Sequence, residues 1–280
     1  MIFQPTAGIG GLPGWFVLQR TEARQREVFE RSPVIERDVD YFRENISKAL
    51  TAKDLVNDRR LLTVALGAFG LGDEINKKAF VEKILDEGTE ESDAFANRLN
   101  EPRFKALAEA FGYGNIQGGS SVLLESFRED MIARFKVREF DRAVGEGDND
   151  MRLALNFRRE ISELVDPDTT EKTAWFQIMG QQPLREVLAT AFNIAPSVAQ
   201  LDIDRQQEIF ADRARSLLGS SDPAQFDDPE VVDEMLRRFF LMRQLESGPS
   251  SSTPGYGALI LLQSQSLGAS AIENLLLSQI

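Results

Sequence analysis

The side chains most used for chemistry near neutral pH are missing: the 280 residues include no histidine and no cysteine. Imidazole is the only side chain that titrates between pH 5 and 8 unperturbed, and thiolate and imidazole are the usual ligands of zinc, haem and iron–sulfur clusters. Ser-His and Cys-His nucleophiles are therefore excluded, and the sequence implies neither a cofactor nor a metal site. An enzyme on this chain would rest on carboxylates. Asp202 with Asp204, and Glu160 with Glu163, are the pairs a glycosidase or di-metal site would use. Helix starts and exposed faces account for the same acids more simply, because the positive end of a helix favours them.

Other candidate motifs lack the context their chemistry needs. Gly8-Ile9-Gly10-Gly11-Leu12-Pro13-Gly14 has the glycine content of a phosphate loop, but no strand precedes it, no Gly-Lys-Ser/Thr follows, and Pro13 removes an amide. It reads as part of a flexible arm. Asp148-Asn149-Asp150 lacks the glycine and final glutamate of a calcium loop and reads as a helix cap. Asp58-Arg59-Arg60, Asn97-Arg98 and Arg152 are expected to form structural ion pairs, with Asp58, Arg59, Arg98 and Arg152 as the principal members. Trp15-Phe16 and Trp175-Phe176 each open a helical stretch as core or interface anchors.

The elements that would carry these residues are helical throughout. Apolar residues recur at three- and four-residue spacing, alternation is scarce, and Asn100-Glu101-Pro102 and Asp227-Asp228-Pro229 each combine a capping side chain with a first-turn proline. Helices are predicted near 16–30, 36–50, 54–70, 76–87, 102–112, 121–144, 148–165, 171–179, 183–193, 204–218, 229–245 and 257–278. Leu61 to Leu71 aligns with Leu184 to Ile194, sharing Leu, Val, Ala and Phe positions. The expected fold is all-α: a multi-helix bundle of two similar helical units joined by a long helix, with apolar terminal helices. The organisation reads as an arm at 1–14, unit 1 at 15–120, connecting helices at 121–165, unit 2 at 166–246, and a linker plus apolar helix at 247–280.

Charge is confined to the middle. Residues 1–19 carry none and residues 247–280 carry only Glu273, although the chain as a whole has a net charge of -13. That excess repels nucleic-acid phosphates and anionic membranes. The apolar run Ala258 to Leu262 is far shorter than the roughly 20 residues of a membrane span. The first residues lack the basic start of a cleaved signal, so the expected location is cytoplasmic, or external by a route without a cleaved signal peptide. In the last predicted helix Leu259, Leu262, Leu267, Ile272, Leu275 and Leu276 form an apolar surface with almost no charge, which suits either its own domain or a protein partner.

Several stretches together resemble a bacterial family known as domain of unknown function 1217. They are Trp15 to Thr21, Asp54 to Leu62 running on through Ala68 to Leu71, Phe95 to Phe104, Ala143 to Gly145, Met151 to Phe157 and Pro183 to Leu188. The resemblance implies a flagellar gene neighbourhood and no catalytic residue. The expected function is a non-enzymatic helical interaction protein, an accessory or structural component of the flagellum with a protein partner, acting through apolar helix faces. A carboxylate-dependent hydrolase of cell-wall polymer and an export chaperone are the alternative expectations.

Overall fold

The computed structural model describes residues 5, 10–99, 101–116, 118–165 and 169–248. Among them are thirteen α-helices, six short 3-10 segments and no strand. In chain order the helices are α1 (Gly11–Glu30), α2 (Pro33–Asn45), α3 (Ala52–Asn57), α4 (Arg59–Ala68), α5 (Lys78–Glu87), α6 (Phe95–Arg98) and α7 (Pro102–Phe111). They continue with α8 (Glu125–Gly147), α9 (Asn149–Glu160), α10 (Glu171–Gly180), α11 (Gln182–Ala191), α12 (Ile203–Leu218) and α13 (Pro229–Ser247). One continuous core runs from Trp15 on α1 to Phe240 on α13 and includes residues of both predicted units.

Helix starts follow the capping chemistry of the sequence. Thr51 and Asp54 exchange side-chain-to-backbone bonds in a capping box that opens α3. Asp148, Asp202 and Asp228 accept backbone N–H bonds at the starts of α9, α12 and α13. The Asp148 group is therefore a cap, as its spacing implied.

The two units repeat in order. Helices α3, α4, α5 and α7 correspond to α10, α11, α12 and α13, and a 3-10 segment follows both α4 and α11. The aligned helices end alike. Leu71 N–H donates to Leu66 O and Gly70 N–H to Gly67 O; Ile194 N–H donates to Ala189 O and Asn193 N–H to Thr190 O. Each pair is a Schellman closure around a left-handed residue. Gly70 has φ 67°, and Asn193, at the aligned position, has φ 53°; it is the only non-glycine with positive φ among the described residues.

Three boundaries differ from the sequence reading. Helix α1 starts at Gly11, so residues 11–14 are helix and not arm, and Gly14 is buried. The expected helix 54–70 is two, because the Asp58 side chain accepts the N–H bonds of Arg60 and Leu61 and starts a new axis. Gly145-Glu146-Gly147, which falls between the predicted helices 121–144 and 148–165, lies inside α8. A Cβ on Gly145 would sit 2.6 Å from Arg152 Cδ, so this glycine serves the close crossing of α8 and α9. Helix α6 was missed because a single turn shows no period.

Candidate functional site

Asp141 lies on the apolar stripe of α8 with Val137 and Val144, where a charge must find a partner or lose its proton. Arg159 of α9 donates to Asp141 Oδ2 at 2.5 Å. Arg138 of α8 pairs with Glu160 of α9, and Arg158 reaches Glu22 of α1, which also accepts from Arg26 at 2.7 Å. Arg158 lies 5.4 Å from the Trp15 ring centre, and Arg26 is equally far from that of Phe140. A polar seam thus joins α1, α8 and α9. Burial pushes the Asp141 carboxyl above the usual carboxylate range although Arg159, Arg138 and Arg26 pull it down. Burial likewise lowers Arg138.

Beside the seam opens a cleft of about 440 Å³, bordered by Gly70, Arg103, Arg138, Glu139, Asn156 and Gln182 among others. Its walls neutralise themselves. Arg103 binds Glu101 through Nε at 2.8 Å and Nη2 at 3.0 Å, holding that carboxyl below its ordinary range. Arg142 binds Glu139, and Arg243 binds Glu186. Glu101 is thereby stabilised as the anion, whereas Asp141, which also borders the cleft, is shifted the other way by burial. Among the described residues no group of three His, Cys, Asp or Glu is placed to hold a metal ion. No helix among them is long and apolar enough to cross a membrane.

The expected ion pairs fall elsewhere. Asp58 caps α4 and accepts the Tyr41 hydroxyl at 2.7 Å. The arginine that pairs next to it is Arg60, with Asp38 at 3.5 Å, and not Arg59. Arg98 stands over the Phe95 ring, and Arg152 donates twice to Asn149 Oδ1. Local spacing cannot see partners on other helices. The charge on the apolar stripe at Asp141 was the signal that could have located the true pairs.

A second feature lies where α1 and α13 run antiparallel. Trp15 packs on Phe240 at 5.6 Å between ring centres, and Gln19 Nε2 donates to Asp233 at 3.2 Å. Trp15 is buried while its neighbour Phe16 is 37% exposed, with Arg237 5.9 Å from its ring centre. Val17, Leu241 and Leu245 are also exposed, Leu245 at 75%. The uncharged start of α1 thus lies beside the end of α13, where Arg243 pairs with Glu246 and Glu186. Leu50, Ile116, Leu123 and Leu124 are exposed as well. Leu259, Leu262, Leu267, Ile272, Leu275 and Leu276 lie outside the described residues.

Together the helical order and the arginine-stitched seam define an all-helical multi-helix protein. The chain belongs to the family described as protein of unknown function DUF1217, which matches it over residues 68–232. A protein from Agrobacterium tumefaciens with a crystal structure is 26% identical, with a TM-score of 0.67 covering 84% of this chain and 93% of that one. Comparison with curated proteins finds no match.

Asp141 carries a testable sign. Its folded pKa is raised above the unfolded value, so its contribution to stability is present below the unfolded pKa and is lost as pH rises through the folded one. Asp141→Asn is therefore expected to gain stability relative to the parent as pH rises above the ordinary aspartate range. Urea unfolding at a series of pH values checks this, and a stability difference independent of pH would contradict it.

Proposed function

We propose that this protein is a non-enzymatic interaction component associated with the flagellum, and that the α1/α13 end is a surface for its protein partner. The observation that carries the reading is the exposure of Phe16, Val17, Leu241 and Leu245 on two adjoining helices of an otherwise highly charged chain. Exposed apolar side chains gathered on adjoining helices mark interaction sites, and aromatic anchors dominate the energetics of such sites. The flagellar setting rests on the gene neighbourhood that the family resemblance implies.

Phe16→Asp with Leu245→Asp is expected to reduce co-purification of a flagellar subunit from motile cells at least ten-fold, since placing charge at an anchor costs about 2 kcal/mol or more. Both side chains face solvent, so the helical circular-dichroism signal should persist. Capture should also change little with salt, because an apolar contact is not screened. Undiminished capture by the folded variant would overturn the assignment.

A further inference from the structure

The cleft beside the seam holds polar groups that its ion pairs leave unused. Four arginines and six carboxylates border it, and most are committed to a partner. Arg103 holds Glu101, Arg138 holds Glu160 and Arg142 holds Glu139, while Asp141 and Glu186 are held by Arg159 and Arg243 from outside the cleft. Exposed Asp73, and Arg152, which donates to Asn149, complete the charged wall.

What stays free is uncharged. Asn156 of α9 is 6% exposed, and its carboxamide oxygen is enclosed without a hydrogen-bond partner, as is Oδ1 of Asp141. Gln181 and Gln182, at the start of α11, also border the cleft, and among the described residues neither side chain makes a hydrogen bond. We propose that this cleft binds a small neutral molecule rich in hydroxyl groups, a monosaccharide or polyol, through the carboxamides of Asn156, Gln181 and Gln182.

Hydrogen bonding argues for hydroxyls. An enclosed amide without a partner is costly, so folded proteins keep few of them and each calls for a reason. A hydroxyl both donates and accepts, and can therefore give a proton to the Asn156 and Asp141 oxygens while accepting from carboxamide N–H groups. Charge argues for neutrality. An ion of either sign would meet like charge in this wall and would have to break a guanidinium–carboxylate pair, whereas a hydroxyl can bond to the remaining lone pairs and leave the pair intact.

Placement and size agree. Arg152, Asn156 and Glu160 follow at four-residue spacing on one face of α9, which sets the free carboxamide between two occupied charges. The volume of about 440 Å³ lies within the roughly 300–1,000 Å³ of small-molecule sites. An adjoining cavity shares Arg103, Arg138 and Gln181 and is walled by Phe69, Val137 and Leu164, which offers an apolar side to the C–H face of a sugar ring. No residue bordering the cleft lies on α1 or α13, so the inference stands apart from the partner surface.

Saturation-transfer NMR on the full chain, titrated separately with glucose, N-acetylglucosamine and myo-inositol, is expected to show saturable binding of at least one of them. Inorganic phosphate and spermidine should show none. Asn156→Leu replaces the carboxamide by an apolar group of similar branching and should weaken that binding about ten-fold or more, since a polar ligand then loses its hydrogen bonds. Gln181→Ala with Gln182→Ala should weaken it comparably, and this pair decides alone if Asn156→Leu fails to fold. Absence of saturable binding by all three neutral probes, or binding that both variants leave intact, overturns the site and assigns the cleft to water. Binding of phosphate or spermidine alone overturns the neutral class of ligand.

Discussion

Replacing Trp15 with alanine is expected to cost about 3–5 kcal/mol of folding stability. The indole is 1% exposed, stacks obliquely on Phe240, and lies under the guanidinium of Arg158, which in turn holds Glu22. Its removal opens a cavity between α1, α9 and α13, whose backbones are fixed by their other contacts and cannot collapse into it. A loss of that size is a large share of the roughly 5–15 kcal/mol that holds a domain folded. Chemical denaturation should show a lower midpoint with an unchanged slope. The neighbouring Phe16→Ala should cost less than about 1 kcal/mol, because much of its ring already faces water. A small effect at Trp15, or a large one at Phe16, would reverse the division between anchor and surface. On the proposed reading, Trp15 fixes α1 in place so that Phe16 is presented to a partner.

Glu160→Ala is expected to be comparably damaging, about 3–5 kcal/mol, through charge and not volume. Glu160 contacts both Arg138 and Arg159, and its side chain is 13% exposed. Burial already works against the Arg138 cation, and the Glu160 carboxylate is the strongest opposing influence. Without it a buried guanidinium loses its partner, the costly case, whereas removing both members avoids the penalty. Arg138→Met with Glu160→Leu should therefore recover most of the stability lost in Glu160→Ala. The double-mutant cycle measures the coupling directly. If the double replacement were as unstable as the single, the seam would matter for packing and not for pairing.

The sequence made the helical class legible because helical period and caps are written within three or four residues. Asp228 with Pro229, Asp148, and the box of Thr51 and Asp54 all did locally what their side chains permit. The aligned stretches 61–71 and 184–194 also end in the same Schellman closure, at Gly70 and Asn193. Single-turn α6 and the break at Asp58 were not, since one turn lacks a period and a cap inside an apolar run resembles its continuation.

The sites divide along the same line. From the sequence alone came the exclusion of imidazole and thiolate chemistry, the family resemblance, and the uncharged ends, all properties of residue type and order. Tertiary structure decided which charges meet: Arg158 and Glu22 are 136 residues apart, and their pairing depends on the register between α1 and α9. It also decided that Trp15 turns inward and Phe16 outward, since adjacent positions on a helix point about 100° apart and only the packing of α13 selects which one is covered. Local order fixes what a helix can present; the neighbour it packs against fixes what it does present.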